Sequence, residues 1–519
     1  MFKKIAQYYQ TLRHLKWIQL RYQLYYRLSK AQLPAAPSST NSQPLHLAPS
    51  IQSDKSYYQN RKFSFLNLEH QFTDSIDWNY TPYGKLWTYN LNYFEFLVQK
   101  DMAPTEGLAL IHDFIRHEKQ LKDGLEPFPI SLRSLFWIRF LVAHQIDDST
   151  IDRFLYRQLQ LLYQRPEYHL LGNHLLENAF ALLFGAYYFE DKAFYELASQ
   201  LLRSELAEQI LPDGAHFELS PMYHSLMFYR LLDCINLVDH NTQLFAVELS
   251  TFLRAKAALM LNWLHQLRFS NGELPRLNDS AEGIAPTAAQ LIDYAERLDI
   301  EAQEQALGAS GYRKLSKGQY EVLVDVGKIG PDYIPGHAHS DSLSFVLHHR
   351  GRALIVDSGT STYEKNRRRR LERSTASHNT VKVGGEEQSD VWGGFRVARR
   401  ARIVELEETS ERITAAHDGY QHLRCIHQRQ FLFEEKNIEI IDKITGDQQA
   451  SAYLHFHPMI KPRIVKEEVV GDFGKIQFSK GAKLSLQSYA FAQGFNDTTE
   501  AIKAVIDFKE KLHTKILLL

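Results

Sequence analysis

The chain has 519 residues, 44% hydrophobic and 23% charged, with 60 Lys and Arg against 61 Asp and Glu. A net charge of −1 excludes a global pull toward nucleic acid, so a polyanionic ligand must be met by a local basic cluster. The two cysteines, Cys234 and Cys425, are too few and too far apart for a disulfide framework or a cysteine metal site.

Read from the start, Met1 to Leu28 is a helical opening whose apolar runs are interrupted by Lys, Arg or Gln. It lacks the apolar stretch of a signal peptide, and by default this places the chain in the cytoplasm. No apolar run approaches the roughly 18 residues of a transmembrane helix. The Tyr/Arg-rich stretch Arg21 to Arg27 suits an amphipathic surface helix, with an ordinary packing helix as the default reading. Ala31 to Asp54, rich in Pro, Ser, Gln and Asn, is expected to be a linker or long surface loop. From about Asn90 to Asp299 apolar residues recur at three- and four-residue spacing, as in Leu132 to Val142, Leu175 to Tyr188 and Leu226 to Val238. Short Pro-, Gly- or Asp-bearing links between them predict an array of helical hairpins, open or closed on itself. After about Tyr312 the period changes to two, and segments such as Tyr320 to Val326, Ala353 to Val356 and Ala452 to Phe456 are expected strands of a sandwich. The expected domains are an N-terminal helix and linker (1–59), an all-α domain (60–310) and an antiparallel all-β domain (311–519).

Chemistry concentrates between residues 336 and 380. His337 and His339 alternate in Gly336-His337-Ala338-His339-Ser340-Asp341, so in an extended segment both rings face one side. Asp357 follows one expected strand and His378 precedes another. His339, Asp357 and His378 therefore make a candidate set of two nitrogens and one oxygen, suited to zinc or a similar divalent ion. In the helical half, Asn173, His174 and Glu177 stand at a helix start, with Glu177 placed to orient His174 and Asn173 readable as a plain N-cap. Ser220-Pro221 opens another helix and puts Tyr223 and His224 in its first turn, where the helix dipole favours a lowered tyrosine pKa. Arg367 to Arg370 with Arg373 form the one dense basic run, a solvated face or a contact for substrate anions. Tyr363 is either a cleft tyrosine or an exposed loop residue. His348 and His349 flank a turn and are expected at the surface; His455 and His457 alternate on a strand and are expected to be structural.

Asn173-His174-x-x-Glu177-Asn178, then Asp213-Gly214…Glu218-x-Ser220-x-x-Tyr223-His224, then His337-x-His339…Asp357-Ser358-Gly359-Thr360…His378-Asn379-Thr380 resemble, in that order, the heparinase II/III superfamily of polysaccharide lyases. The resemblance covers roughly residues 60 to 480. It implies an α+β multidomain chain, an (α/α) toroid, complete or incomplete, followed by an antiparallel β-sandwich. It also implies β-elimination at a uronic acid of an acidic polysaccharide. Asn173 and His174 or His337 would neutralise the C5 carboxylate, Tyr223 would act as acid or also as base, and His337 is the alternative base. Glu177, His224, Tyr363 and Arg373 would contact substrate, and His339, Asp357 and His378 would hold a structural Zn2+. A metal-assisted glycan hydrolase and a non-catalytic glycan-binding protein are the alternatives. No nucleic-acid partner is expected.

Overall fold

The structure is a computed structural model describing residues 2–29, 32–37, 40, 42–241 and 247–519. It opens with helices α1 (Phe2–Leu12) and α2 (Trp17–Leu28) and a small antiparallel sheet, β1 (Tyr57–Tyr58), β2 (Lys62–Phe65) and β3 (Leu68–Gln71). The expected linker carries no helix or strand where it is described, yet it is strapped to the helical domain rather than loose. The backbone N–H groups of His46 and Ala48 donate to the side-chain oxygens of Asn241 and Asn236, both at 2.9 Å, while Leu45 and Ile51 are buried.

The helical domain comprises α3 (Lys85–Tyr93), α4 (Pro104–Arg116), α5 (Pro127–Ala143), α6 (Ser149–Gln164), α7 (Gly172–Phe189), α8 (Lys192–Gln209), α9 (Pro221–His240), α10 (Val247–Leu267) and α11 (Ala288–Arg297). The helices alternate in character. α5, α7 and α9 are buried on almost every face, whereas α6 and α8 bury one face only. A helix apolar all round must be covered all round, and here α7 packs on α5 and α9 while α6 and α8 close over the outside. This inner and outer alternation makes the incomplete toroid. Its helix starts are well marked: Asp148 and Asp191 accept from the first-turn N–H groups of α6 and α8, and Ser220 does so for α9 ahead of Pro221.

The sheet-rich domain begins with β4 (Tyr312–Lys317), β5 (Tyr320–Asp325), β6 (Phe345–His349) and β7 (Arg352–Ile355), one antiparallel sheet in sequence order. A short helix α12 (Arg367–Glu372) leads to β8 (Val381–Val383) and the hairpin β9 (Val391–Trp392) and β10 (Arg396–Val397). β11 (Ile403–Glu408), β12 (Arg412–His417), β13 (His427–Phe433), β14 (Asn437–Ile444), β15 (Gln449–His455), β16 (Arg463–Val465), β17 (Glu468–Gly471), β18 (Gly474–Phe478), β19 (Lys483–Gly494), β20 (Asp497–Lys509) and β21 (Lys511–Leu518) follow. An eight-stranded sheet, ordered β11-β12-β13-β14-β21-β18-β17-β16, faces a four-stranded sheet, β19-β20-β15-β8. β13 alternates buried and half-buried residues along its whole length, the period-two signature of a sheet with one face on a core. That core joins Val322, Phe345, Ile355, Phe431, Ile440, Ile506 and Ile516. His348 and His349 are buried on β6, not at the surface; His348 stacks on Phe269 with centroids 3.7 Å apart, because β6 is covered by the end of the helical domain. His455 is buried, with Nδ1 3.1 Å from Asn379 Oδ1.

Candidate active site

The inner helices deliver their N-terminal ends to one place. Asn173 and His174 lie in the first turn of α7, Tyr223 in that of α9, and Phe128 at the start of α5 packs on the His174 ring at 4.6 Å. Helix N-termini carry partial positive charge and free N–H groups, which suits an anionic ligand. Three approach loops hold a non-glycine residue in the left-handed region: Leu171 (φ 65°), Leu219 (φ 58°) and Asn278 (φ 55°). Such conformations cost about 1–3 kcal/mol each and persist where surrounding bonds fix them. Here the Asn278 side chain does so, donating to Leu219 O at 3.0 Å and accepting the His339 N–H at 2.9 Å.

Asp279 is the hub. Its carboxylate accepts from Arg369 through both Nη1 and Nη2 (2.6 Å for the latter) and meets His337 Nδ1 and His339 Nε2, each at 2.9 Å. Burial alone would raise this acid, but Arg369 and the two imidazoles outweigh it and hold Asp279 well below the usual carboxylate range. An ionised acceptor fixes the tautomer of each neutral ring: the proton lies on Nδ1 of His337 and on Nε2 of His339, and the lone pair of a neutral His337 is on Nε2. Sequence reasoning did not single out Asp279, which lies in an irregular loop. The retrospective signal is the Asn278-Asp279-Ser280 string between two helical segments.

Tyr223 stacks on His337 with centroids 3.8 Å apart, and its hydroxyl is 3.3 Å from that of Tyr363. Tyr363 therefore belongs to the site and not to an exposed loop; Arg369 and Phe395 pack against its ring. The expected lowering of Tyr223 is reversed. Burial dominates and raises it, so the phenol stays protonated at neutral pH. Asn173 does not cap its helix, where Leu171 holds the cap position; its Nδ2 donates to Glu218 Oε2 at 3.0 Å. Glu218 is buried, raised by desolvation, and stands 4.0 Å from His337 Nε2.

Other residues sit elsewhere than expected. His174 is oriented by Glu167 at 3.2 Å, not by Glu177. Burial would lower His174, but Glu167 more than offsets this and the ring is raised. Glu177 instead faces Arg230 at 3.6 Å inside the helical core. His224 is wholly buried against Trp263, with Nε2 on Met260 O at 3.1 Å, and burial pushes it down to about 3, so it does not face the cleft. Arg373 turns inward and donates to Ala338 O and Gly394 O, leaving no guanidinium for substrate. Of the basic run, Arg369 is the site residue. Its partner is Asp279 because α12 points it back across the domain boundary.

The three candidate metal ligands are close but not drawn into one cluster. His378 Nδ1 lies 2.6 Å from Asp357 Oδ2, His339 is held by Asp279, and the two imidazole centroids are 5.2 Å apart. No group of three or more His, Cys, Asp or Glu among the described residues is arranged to hold an ion. His339 Nδ1 and His378 Nε2 are nevertheless buried without a hydrogen-bond partner, so the donor types and the two orphaned nitrogens fit a divalent ion.

Residues 130–305 match the heparinase II/III N-terminus and residues 300–517 match the family described as heparinase II/III-like, C-terminal. The chain belongs to the heparinase II/III family. Among relatives of this family, a heparin-sulfate lyase of Bacteroides stercoris is 23% identical over 362 residues, covering 63% of this chain and 52% of the relative. A heparin-sulfate lyase of Pedobacter heparinus is 22% identical over 450 residues, covering 75% and 66%. These alignments span about half to two thirds of the relatives' length. In structure, heparinase III superposes with a TM-score of 0.71 at 16% identity, covering 96% of this chain and 89% of the other. The heparan sulfate lyase of Pedobacter heparinus gives 0.58 at 16% identity, covering 88% and 81%. The heparinase-type order, helical toroid then β-sandwich, is thus shared along nearly the whole chain.

Proposed function

We propose that this heparinase II/III family member is a polysaccharide lyase that cleaves a uronic-acid-containing glycan by β-elimination. The observation that carries the reading is the close pair Tyr223 and His337, a phenol raised by burial against an imidazole tied through Nδ1 to Asp279, beside Asn173 and Glu218. The relatives named as heparin-sulfate lyases support an acidic glycosaminoglycan as the substrate class.

Elimination first requires the C5 proton to be acidified, which means neutralising the neighbouring carboxylate. Asn173 can donate to it, and Glu218, raised by burial, and His174, raised by Glu167, both lie where they favour a protonated partner for that carboxylate. His337 Nε2 then takes the C5 proton. The C5–H electrons form the C4–C5 double bond as the C4–O bond breaks, and the departing oxygen takes the proton of the Tyr223 phenol. His337 returns its acquired proton to the Tyr223 phenolate across the stack, with the Tyr363 hydroxyl as a neighbouring donor. No water is consumed. Asp279 keeps His337 in the correct tautomer throughout.

A divalent ion, zinc by ligand type, would be held by His339, Asp357 and His378, and would add fixed positive charge on the sheet side of the cleft. Elemental analysis of the purified chain should find about one such ion per chain, and His378→Ala should lose it. Equal metal content in both proteins would remove the ligand set.

The test of function is ultraviolet absorbance during incubation with a panel of uronate polysaccharides. A rise reports the conjugated double bond. New reducing ends without absorbance would mean hydrolysis, and binding with neither would mean a glycan-binding protein.

A further inference from the structure

Among the described residues, nine of the twenty large hydrophobic residues that are exposed lie between Ile5 and Leu28. A helix that merely packs turns its apolar stripe inward; α2 leaves the larger part of its own outside. Trp17, Leu20, Leu24 and Leu28 recur at i, i+3, i+7 and i+11, so they share one face, and that face is outward, with Trp17 77% and Leu28 79% exposed. What α2 turns to the protein is mixed: Gln19 is buried and donates to Leu170 O at 3.1 Å, the Tyr26 hydroxyl donates to Pro166 O, the Tyr22 ring packs on Tyr168 and Ile18 is half-buried against the core. α1 is pinned in the same way. Gln7 donates to Asp390 at 3.1 Å and Trp392 Nε1 donates to Thr11 at 3.1 Å, while Ile5, Tyr9 and Leu12 point out at helical spacing.

The charge within this segment is one-sided, although Glu208 pairs with Lys16 and Asp390 meets Gln7 from the rest of the fold. Residues 1–53 contain seven Lys and Arg and no Asp or Glu, in a chain whose net charge is −1. Arg13, Arg21 and Arg27 are exposed beside the apolar face. Apolar residues with a Trp and several Tyr, bordered by cations, match the acyl and headgroup layers of an anionic bilayer. At 11 and 12 residues the helices are too short to span one, and no helix among the described residues is long and apolar enough to do so.

We propose that the α1–α2 pair is a membrane-interface anchor that seats this protein flat on an anionic lipid surface. The anchor is bound to both halves of the molecule, through Gln19 and Tyr26 to the toroid and through Gln7 and Thr11 to the β9–β10 hairpin, whose turn carries Phe395 against Tyr363 and His337. This is independent of the reaction catalysed.

The experiment is co-sedimentation of the full chain with phosphatidylcholine vesicles, with and without about one third phosphatidylglycerol, over a range of salt. Binding should require the anionic lipid and weaken as salt rises. The triple variant Trp17→Glu/Leu24→Glu/Leu28→Glu should lose it with an unchanged thermal unfolding profile. Arg21→Gln/Arg27→Gln, which leaves the apolar stripe intact, should bind anionic vesicles about tenfold or more weaker. Absence of wild-type binding overturns the proposal, as does equal binding by the triple variant. A concentration-dependent dimer dissolved by the same glutamates, with no vesicle binding, would make the stripe a self-association face instead.

Discussion

In the proposed elimination, Tyr223, His337 and Asp279 divide the proton chemistry by environment. Burial keeps the tyrosine protonated, and the Asp279 carboxylate leaves the imidazole a free Nε2. Tyr223→Phe should lower kcat by about 10²–10⁴, the usual weight of a positioned acid, with KM little changed; steady-state absorbance assays on the preferred glycan check both. Asp279→Asn keeps the shape but removes the charge that fixes the His337 tautomer. Its kcat should fall and its pH profile should move, whereas damage confined to stability would lower activity without moving the profile. His224 is the converse case. It neighbours Tyr223 in sequence, yet it points into the core at Trp263, so His224→Gln should act on stability before it acts on kcat.

At the scale of single elements, the β13–β14 pair carries a buried ionic unit. Asp442 accepts from Arg429 and from His427, each at 2.7 Å, and His417 continues the chain at 3.1 Å. Burial alone would raise Asp442, but Arg429 and His427 reverse this and hold it at about 2. That lies below the unfolded value of roughly 3.9, so its contribution of about 2–3 kcal/mol is complete above about pH 4 and fades as pH falls toward 2. Asp442→Asn should abolish that part of the acid dependence and cost about 3–5 kcal/mol near neutrality, because Arg429 is left buried without its counter-ion. Denaturant unfolding at several pH values separates the two effects.

Across the whole molecule, the candidate site lies where two differently built halves meet. Asp279 comes from the loop after α10, whereas Arg369, His337 and His339 come from the sheet-rich part, and the buried ion pair joins them. Arg369→Ala leaves Asp279 ionised and half-partnered inside the boundary. It should destabilise by about 3–5 kcal/mol and separate the unfolding of the two halves in calorimetry, with activity lost alongside. A single unshifted transition would show that the halves are held together elsewhere.

The sequence by itself determined the order of the two architectures, because hydrophobic period follows local backbone geometry: 3.6 through α5, α7 and α9, and two through β13 and β14. It also marked Asn173 and Tyr223, which sit at helix starts, and His337, which lies in a turn and not in the extended segment expected. What only the tertiary structure decided was partnership. Whether Arg369 meets solvent or Asp279, whether Glu167 or Glu177 holds His174, and which way Arg373 turns depend on contacts between segments far apart in the chain. The direction of the Tyr223 shift was decided the same way, since the dipole of its own helix is a local effect but the burial that outweighs it includes His337 and Tyr363 from the sheet-rich half.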